Sequence, residues 1–270
     1  MIKKIFLLTI LAASIMYGLA AQSSLGTLPA TIDVNDVTIL KKNVLVIQSH
    51  DSIVVNAQTH KMDTLSVIDN AKIFTPEEAE REFATQPARA PRSAETGEQW
   101  GHDNGPLVKM GINNRVYLYT YKYPSVDADG NRIYLSALMG VPAGIAASYI
   151  ISDHTKPNNL IIGCHETITS NYECPSEFNN TGGASIKTGN GMMLCYASYN
   201  LTRQPCNLVI MPDYEGYGIT SNRAHPYLYQ ELTARQVVDG ARSGIALFQQ
   251  LVNKKEVNGF ENNWKTLAIG

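Results

Sequence analysis

The spacing of apolar positions changes several times along this chain, and each change predicts a different kind of element. Residues 44–48, 53–56 and 64–68 are short β-branched runs separated by Ser, His, Asp, Asn and Lys, which predicts a small antiparallel unit or an extended N-terminal wrap. Thr75-Pro76-Glu77-Glu78 then supplies an N-cap, a proline at the first helical position and an acidic first turn, predicting a helix to about Phe83. Residues 115–123 and 132–141 are strand-like runs joined by a turn containing Asp129-Gly130, a hairpin signal. Tyr117, Tyr119, Tyr121 and Tyr123 alternate along one face of the first run, which predicts cross-strand packing rather than ligand stacking. Val141-Pro142-Ala143-Gly144 is expected to end the hairpin.

Beyond it the pattern turns to continuous apolar runs. Residues 159–163 and 207–211 have the form of strands buried on both faces of a parallel sheet, with residues 191–199 as the crossover helix between them. Ala234, Val238, Ala241, Ile245, Phe248 and Val252 recur at helical steps and predict a helix over 229–252, with Glu231 and Arg235 paired on its outside. Residues 264–269 read as a further strand, followed by Gly270. A hairpin followed by strand, crossover, strand, helix and strand predicts an α/β fold with helices on both faces of the sheet.

The first residues add a compartment. Lys3 and Lys4, an apolar run over 5–17 and the small-residue site Gly18-Leu19-Ala20 have the form of a secretory signal peptide, with a retained membrane anchor as the competing reading. The expected organisation is a signal peptide over 1–20, a β-rich region over 21–84, a Pro- and Gly-containing linker over 85–105 and an α/β domain over 106–270. The product is expected to be exported, periplasmic or secreted, with no stable membrane span after cleavage. Asn179 and Asn200 open Asn-x-Thr sequons, which matter only in a glycosylating host.

Composition changes this picture little. The chain has 270 residues, 44% hydrophobic and 17% charged, enough for a sizeable core. A net charge of -2 without long runs of either sign argues against a nucleic-acid partner. Cys164, Cys174, Cys195 and Cys206 are compatible with two disulfides in any of three pairings, or with buried free thiols. No Cys-x-x-Cys spacing points to a structural metal, and no cofactor is expected.

In an open α/β sheet, chemistry collects in the loops beyond the carboxyl ends of the strands. Two such loops are 163–176, with Cys164, His165, Glu166, Thr167 and Ser170, and 211–228, with Asp213, Tyr214, Glu215, Gly216 and His225. Asp213 is expected to fix its loop by accepting hydrogen bonds, and His225 before Pro226 to anchor the entry to the long helix. A triad of Ser170, His165 and Asp213 has no supporting nucleophile-elbow motif.

Together these loops resemble the α/β-hydrolase superfamily, within it the secretory lipase and esterase group. The resemblance covers residues 115–270. It rests on the His165-x-Thr167 loop leading to Cys174-Pro175-Ser176, on Pro212-Asp213-Tyr214-Glu215-Gly216, on His225-Pro226-Tyr227-Leu228, and on the following helix with Ala234-Arg235, Val238-Asp239 and Ala241-Arg242. It implies the N-terminal half of a hydrolase-like, mostly parallel sheet. It also implies an acyl-enzyme mechanism on a small-molecule or lipid ester, and Gly270 as the first glycine of a Gly-x-Ser-x-Gly elbow. Nucleophile, acid and base would then all lie downstream of residue 270, and residues 1–270 alone would not hydrolyse esters. What the resemblance places here is an oxyanion loop, with the N–H of Glu166 or Thr167 as donor and His165 shaping the turn. The family usually has Gly where this chain has Glu166. The resemblance also places Cys174 at a position commonly in a disulfide. A non-catalytic exported module binding carbohydrate or protein, and a peptidase of the same superfamily, are the alternative readings.

Overall fold

The structure, a computed structural model, describes residues 32–55, 62–84, 112–147, 150–153, 156–180 and 207–270. Their strands are β1 (Thr38–Val55), β2 (Met62–Phe74), β3 (Ile112–Val126), β4 (Arg132–Ala147), β5 (Ile150–Asp153), β6 (Asn159–Gly163), β7 (Asn207–Pro212) and β8 (Lys265–Ile269). Two helices accompany them, α1 (Pro76–Ala84) and α2 (Gln230–Asn253). One sheet runs in the order β2-β1-β3-β4-β7-β6-β8, with β5 beside β4. It is mixed rather than mostly parallel. Every pair from β2 to β7 is antiparallel, and only β7-β6 and β6-β8 are parallel.

The N-terminal runs therefore do not form a separate small unit. The run at 44–48 and residues 53–55 of the next fall within β1, which pairs with β2 on one side and with β3 on the other, for example Leu45 opposite Val116. The β3-β4 hairpin forms where Asp129-Gly130 predicts it. Asp127 Oδ1 accepts from the Asp129 and Asn131 N–H groups at 3.0 and 2.9 Å, and Gly130 takes a φ of 80°. Val141-Pro142-Ala143-Gly144 does not end the strand. The register shifts there between Arg115 and Val116, so a bulge absorbs the proline and β4 continues to Ala147.

Alternation along the strands makes two cores. Leu45, Ile47, Val116, Leu118, Leu138, Ile161, Val209 and Met211 face one side, where Phe178 packs on them. Tyr119, Tyr121, Tyr123, Leu135, Met139, Leu208 and Ile210 face the other, under α2. Strand β7 is buried throughout, as its continuous apolar run predicts. Both described helices lie on the tyrosine side. Helix α1 packs through Ala79 on Val44, Val46 and Tyr117.

The contact face of α2 overlaps the predicted one but is rotated and widened. Ala241 and Phe248 are buried and Ile245 and Val252 pack against the core as predicted, whereas Val238 is exposed and Leu232, Gln236, Asp239, Gly240, Ser243, Gly244, Leu247 and Leu251 are buried as well. The reason is the tyrosine stripe. Tyr121 and Tyr123 donate their hydroxyls to the carbonyls of Gly240 and Gln236, at 2.8 and 3.1 Å. That approach requires small residues on the helix. A Cβ at Gly244 would lie 2.6 Å from Ile210 Cδ1 and from Tyr121 Oη, and one at Gly240 would lie 2.9 Å from Tyr123 Cζ. Arg235 turns to Asp239, Nε to Oδ2 at 2.8 Å.

From β7 the chain crosses through α2 to β8 on the far side of β6. The sense of winding reverses at β6, which puts the fold's natural crevice at its carboxyl end. Among the described strands β8 lies at the edge, with Leu267 and Ile269 exposed. Cys164 and Cys174 carry free thiols, so a framework of two disulfides is not formed; Cys174 is buried, with its Sγ 3.7 Å from Asn171 Oδ1 and 3.6 Å from Ser176 Oγ. The signal segment, the linker, the 191–199 crossover, Cys195, Cys206 and Asn200 lie outside the described residues. Among the described residues no helix is long and apolar enough to cross a membrane.

Candidate functional site

The three parallel strands end side by side at Gly163, Pro212 and Ile269. The Cys164 N–H donates to the Ile269 carbonyl at 2.7 Å, and a Cβ at Gly270 would stand 3.1 Å from Cys164 Cβ. Position 270 therefore touches the start of the loop that carries the candidate donors. A side chain there would press on Cys164.

His165 turns inward and is 9% exposed. Its ring stacks on Tyr214, centroids 4.1 Å apart, and meets Tyr217 edge-on at 5.7 Å. Nδ1 lies 2.7 Å from the Glu166 carbonyl and Nε2 lies 3.0 Å from the Asp213 carbonyl. Burial lowers the imidazole pKa, and the two carbonyls oppose that only in part, so the ring is neutral at pH 7. A neutral imidazole has one N–H for these two acceptors. Either tautomer ties the loop after β6 to its own turn or to the loop after β7.

The Glu166 contact sets the donor geometry. A trans peptide is planar, with its C=O and N–H pointing in opposite directions. With the Glu166 carbonyl turned toward His165, the Thr167 N–H points away from the ring. Among the described residues neither the Glu166 nor the Thr167 N–H has an acceptor, and both residues are exposed. Glu166 is not among the residues with positive φ, so its backbone does not need the glycine usual at this place. Its exposed side chain leaves the carboxylate in solvent.

Asp213 lies behind this loop and is fully buried. Its Oδ1 accepts from the Ser176 N–H at 2.8 Å and its Oδ2 accepts from the Ser136 hydroxyl, which in turn accepts from the Ile219 N–H at 3.1 Å. Burial pushes its carboxyl pKa up to about 6, against the pull of the Ser136 and Ser176 bonds. One side chain thus ties β4, the turn at Pro175–Glu177 and the loop after β7, the tethering role its sequence context suggests. A triad of Ser170, His165 and Asp213 is not assembled. Ser170 Oγ caps the turn at Asn171–Glu173, and His165 meets the Asp213 backbone rather than its carboxylate.

The loop after β7 is held in an uncommon path. Tyr214, Gly216 and Gly218 have φ of 67, 93 and 57°. For Tyr214 this conformation costs roughly 1–2 kcal/mol, offset by its stacking on His165. A Cβ at Gly216 would lie 2.7 Å from the His225 backbone. His225 Nδ1 lies 2.5 Å from the Glu215 carbonyl, Gln236 Oε1 accepts from the Glu215 N–H at 3.1 Å, and Arg223 bridges Glu215 and Asp127 at 2.7 and 3.0 Å. Sequence reasoning did not single out Ser136, Ser176, Tyr217 or Gln236 as partners of this site. Only the glycines of Glu215-Gly216-Tyr217-Gly218 hinted at a loop this tightly packed. No group of three His, Cys, Asp or Glu able to hold a metal occurs among the described residues.

No protein-family model matches the chain, and no curated protein matches it. Among solved structures, it is similar to a hydrolase-designated protein of Legionella pneumophila, at 19% identity and a TM-score of 0.41. That match covers 61% of this chain and 37% of the other. It is also similar to the rice cell wall degrading esterase LipA from Xanthomonas oryzae, at 17% identity and a TM-score of 0.34, covering 58% of this chain and 34% of the other. The chain therefore spans about a third of the length of the solved structures it matches.

Proposed function

We propose that residues 112–270 form the first part of an exported serine carboxylic-ester hydrolase of the lipase and esterase kind, acting through an acyl-enzyme. The nucleophilic serine, acid and base would follow Gly270 in the whole protein. The observation that carries this reading is the pair of N–H groups at Glu166 and Thr167, which have no acceptor among the described residues. They follow the carboxyl end of β6, in the loop whose first residue, Cys164, adjoins Gly270 at the end of β8, where the winding of the sheet reverses. Backbone donors fixed before substrate arrives stabilise the oxyanion of a tetrahedral intermediate. A serine two positions past Gly270 would stand on a strand-to-helix turn next to them.

In this mechanism the serine oxygen attacks the ester carbonyl as a histidine takes its proton. The carbonyl oxygen becomes an anion facing the Thr167 or Glu166 N–H, the alcohol leaves with the proton, and water then releases the acid. His165 does not act as the base. Its buried ring holds the Glu166 carbonyl, and it serves the donor loop as a positioning residue. Residues 1–20 act as an export signal, and N-terminal sequencing of the exported protein tests that directly.

The test uses the whole protein with a short-chain chromogenic ester. Thr167→Pro removes one N–H without touching any titrating group. Loss of one such donor is expected to lower kcat by about 10²–10³-fold. Turnover unchanged by Thr167→Pro and by Glu166→Pro would remove the loop from the mechanism. No turnover in the unaltered protein would remove the reading itself.

A further inference from the structure

The loop is anchored through His165, whose single N–H reaches the Glu166 or the Asp213 carbonyl according to its tautomer, and a second contact holds it at Ile168. The Ile168 carbonyl accepts from the Tyr217 hydroxyl at 2.6 Å and lies 3.0 Å from the Tyr227 hydroxyl, while the two hydroxyls lie 2.8 Å from each other. Both tyrosines come from the loop after β7, and each rests on His225, at 5.0 and 4.3 Å between centroids. Tyr217 is buried and also meets the His165 ring, whereas Tyr227 is half exposed.

We propose that Tyr217 and Tyr227 are positioning residues that lock the Glu166-Thr167 donor pair through the Ile168 carbonyl, with Tyr227 acting as a reserve donor for Tyr217. The proposal rests on the function argued above. Its chemistry is a matter of counting protons. Three oxygens stand within hydrogen-bonding distance of one another, and the two hydroxyls supply two protons. The shorter contact gives the Tyr217 proton to Ile168. The Tyr227 proton then goes to the Tyr217 oxygen or to the second lone pair of the same carbonyl. When the Tyr217 hydroxyl is removed, Tyr227 keeps an acceptor in place and donates to Ile168 alone. When both are removed, the buried Ile168 carbonyl loses both hydroxyl partners, and the segment keeps only the His165 contact and the packing of the Ile168 side chain on Cys174 and the ring at 217. Displacing a donor by about 1 Å is enough to reduce catalysis by roughly 10²-fold.

The experiment compares Tyr217→Phe, Tyr227→Phe and the double variant in the whole protein, by kcat, KM and amide hydrogen exchange at Thr169, whose N–H shares the peptide of the Ile168 carbonyl and donates to Glu173 Oε2 at 3.0 Å. Tyr121→Phe, which removes a hydroxyl bound to α2 far from this loop, controls for a merely structural loss. The expected result is non-additive. Tyr227→Phe lowers kcat less than about twofold, Tyr217→Phe about threefold, and the double variant at least about thirtyfold, with KM within about twofold and faster exchange at Thr169 only in the double variant. The ring packing survives each change to Phe, and the half-exposed Tyr227 gives a single variant whose folding is not at risk. A double variant with the kcat and exchange of the unaltered protein, or a Tyr121→Phe variant losing kcat to the same extent, overturns the proposal. If the unaltered protein hydrolyses no ester, the functional reading fails by itself. Exchange then decides whether the tyrosines pin the loop: unchanged protection in the double variant contradicts it, and lost protection supports it.

Discussion

Under α2, Tyr121 and Tyr123 donate to helix carbonyls, Gly240 and Gly244 let the helix settle onto the rings, and the surrounding residues are apolar. At the carboxyl end of the same sheet, the Glu166 and Thr167 N–H groups find no acceptor among the described residues, Tyr214, Gly216, Gly218 and Leu228 after β7 take positive φ, and a carboxylate is buried. The first region is ordered by filling space and completing hydrogen bonds. The second holds open donors in place by surrounding them with completed ones. Strain and unpaired donors gathered at one end of a sheet, above a conventional core, are what a site for a developing anion requires.

Four substitutions probe that contrast, starting with the largest effect. Gly218→Ala introduces a Cβ against Ser136 Oγ and Asp213 Oδ2 at a φ of 57°. Left-handed strain and the clash with buried polar atoms should together destabilise by more than about 3 kcal/mol. Urea unfolding measures this, and a change under about 1 kcal/mol would mean that the loop is not held as described.

Asp213→Asn tests the buried carboxylate through pH. With a pKa of about 6 in the fold and 3.8 ordinarily, Asp213 is ionised in both states above pH 6, and the folded state carries a penalty of roughly 3 kcal/mol. As pH falls from about 6 to about 4, the folded state takes up the proton before the unfolded one does, so stability rises by about that amount. His165 works in the opposite direction, because its lowered pKa lets the unfolded state protonate first as pH falls below about 6.5. The difference between the unfolding curves of Asp213→Asn and the unaltered protein isolates the first effect. A pH-independent difference would contradict it.

Gly244→Ala probes the helix-covered face, where overpacking should cost about 1–3 kcal/mol by forcing α2 away from Ile210 and Tyr121. Esterase activity per folded molecule should be unchanged, since the disturbance lies under the helix and not at the loops. Tyr123→Phe is the mildest change. Losing one hydroxyl donor to Gln236 should cost about 1 kcal/mol in chemical denaturation. A shift in kcat from either variant would blur the distinction between the two regions.

The sequence announced most of the elements. Continuous apolar runs marked β6 and β7, Asp129-Gly130 marked the β3-β4 turn, and Thr75-Pro76 marked the start of α1. It misled where side-chain partners come from elsewhere in the chain. The contact face of α2 includes the predicted Ala241 and Phe248 but also Gln236, Gly240, Ser243 and Gly244, which a count of apolar residues assigns to solvent, because the tyrosines of β3 supply both the apolar surface and the donors. Likewise the β-rich runs of β1 appear independent until their pairing with β3 is seen, since register is set between strands and not within one. At the site, the inward ring of His165 and the exposure of Glu166 and Thr167 depend on Tyr214, Asp213 and Tyr217, all more than forty positions away. Local patterning carries no trace of such contacts.

The central claim is that β8 delivers a nucleophile beside the Glu166-Thr167 donors. Its most direct test is to label the whole protein with a fluorophosphonate and map the adduct by peptide mass spectrometry. The account predicts a single phosphonylated serine two residues after Gly270, with labelling slowed by Thr167→Pro. An adduct on Ser170 or any other serine within residues 1–270, or no adduct at all, would contradict it.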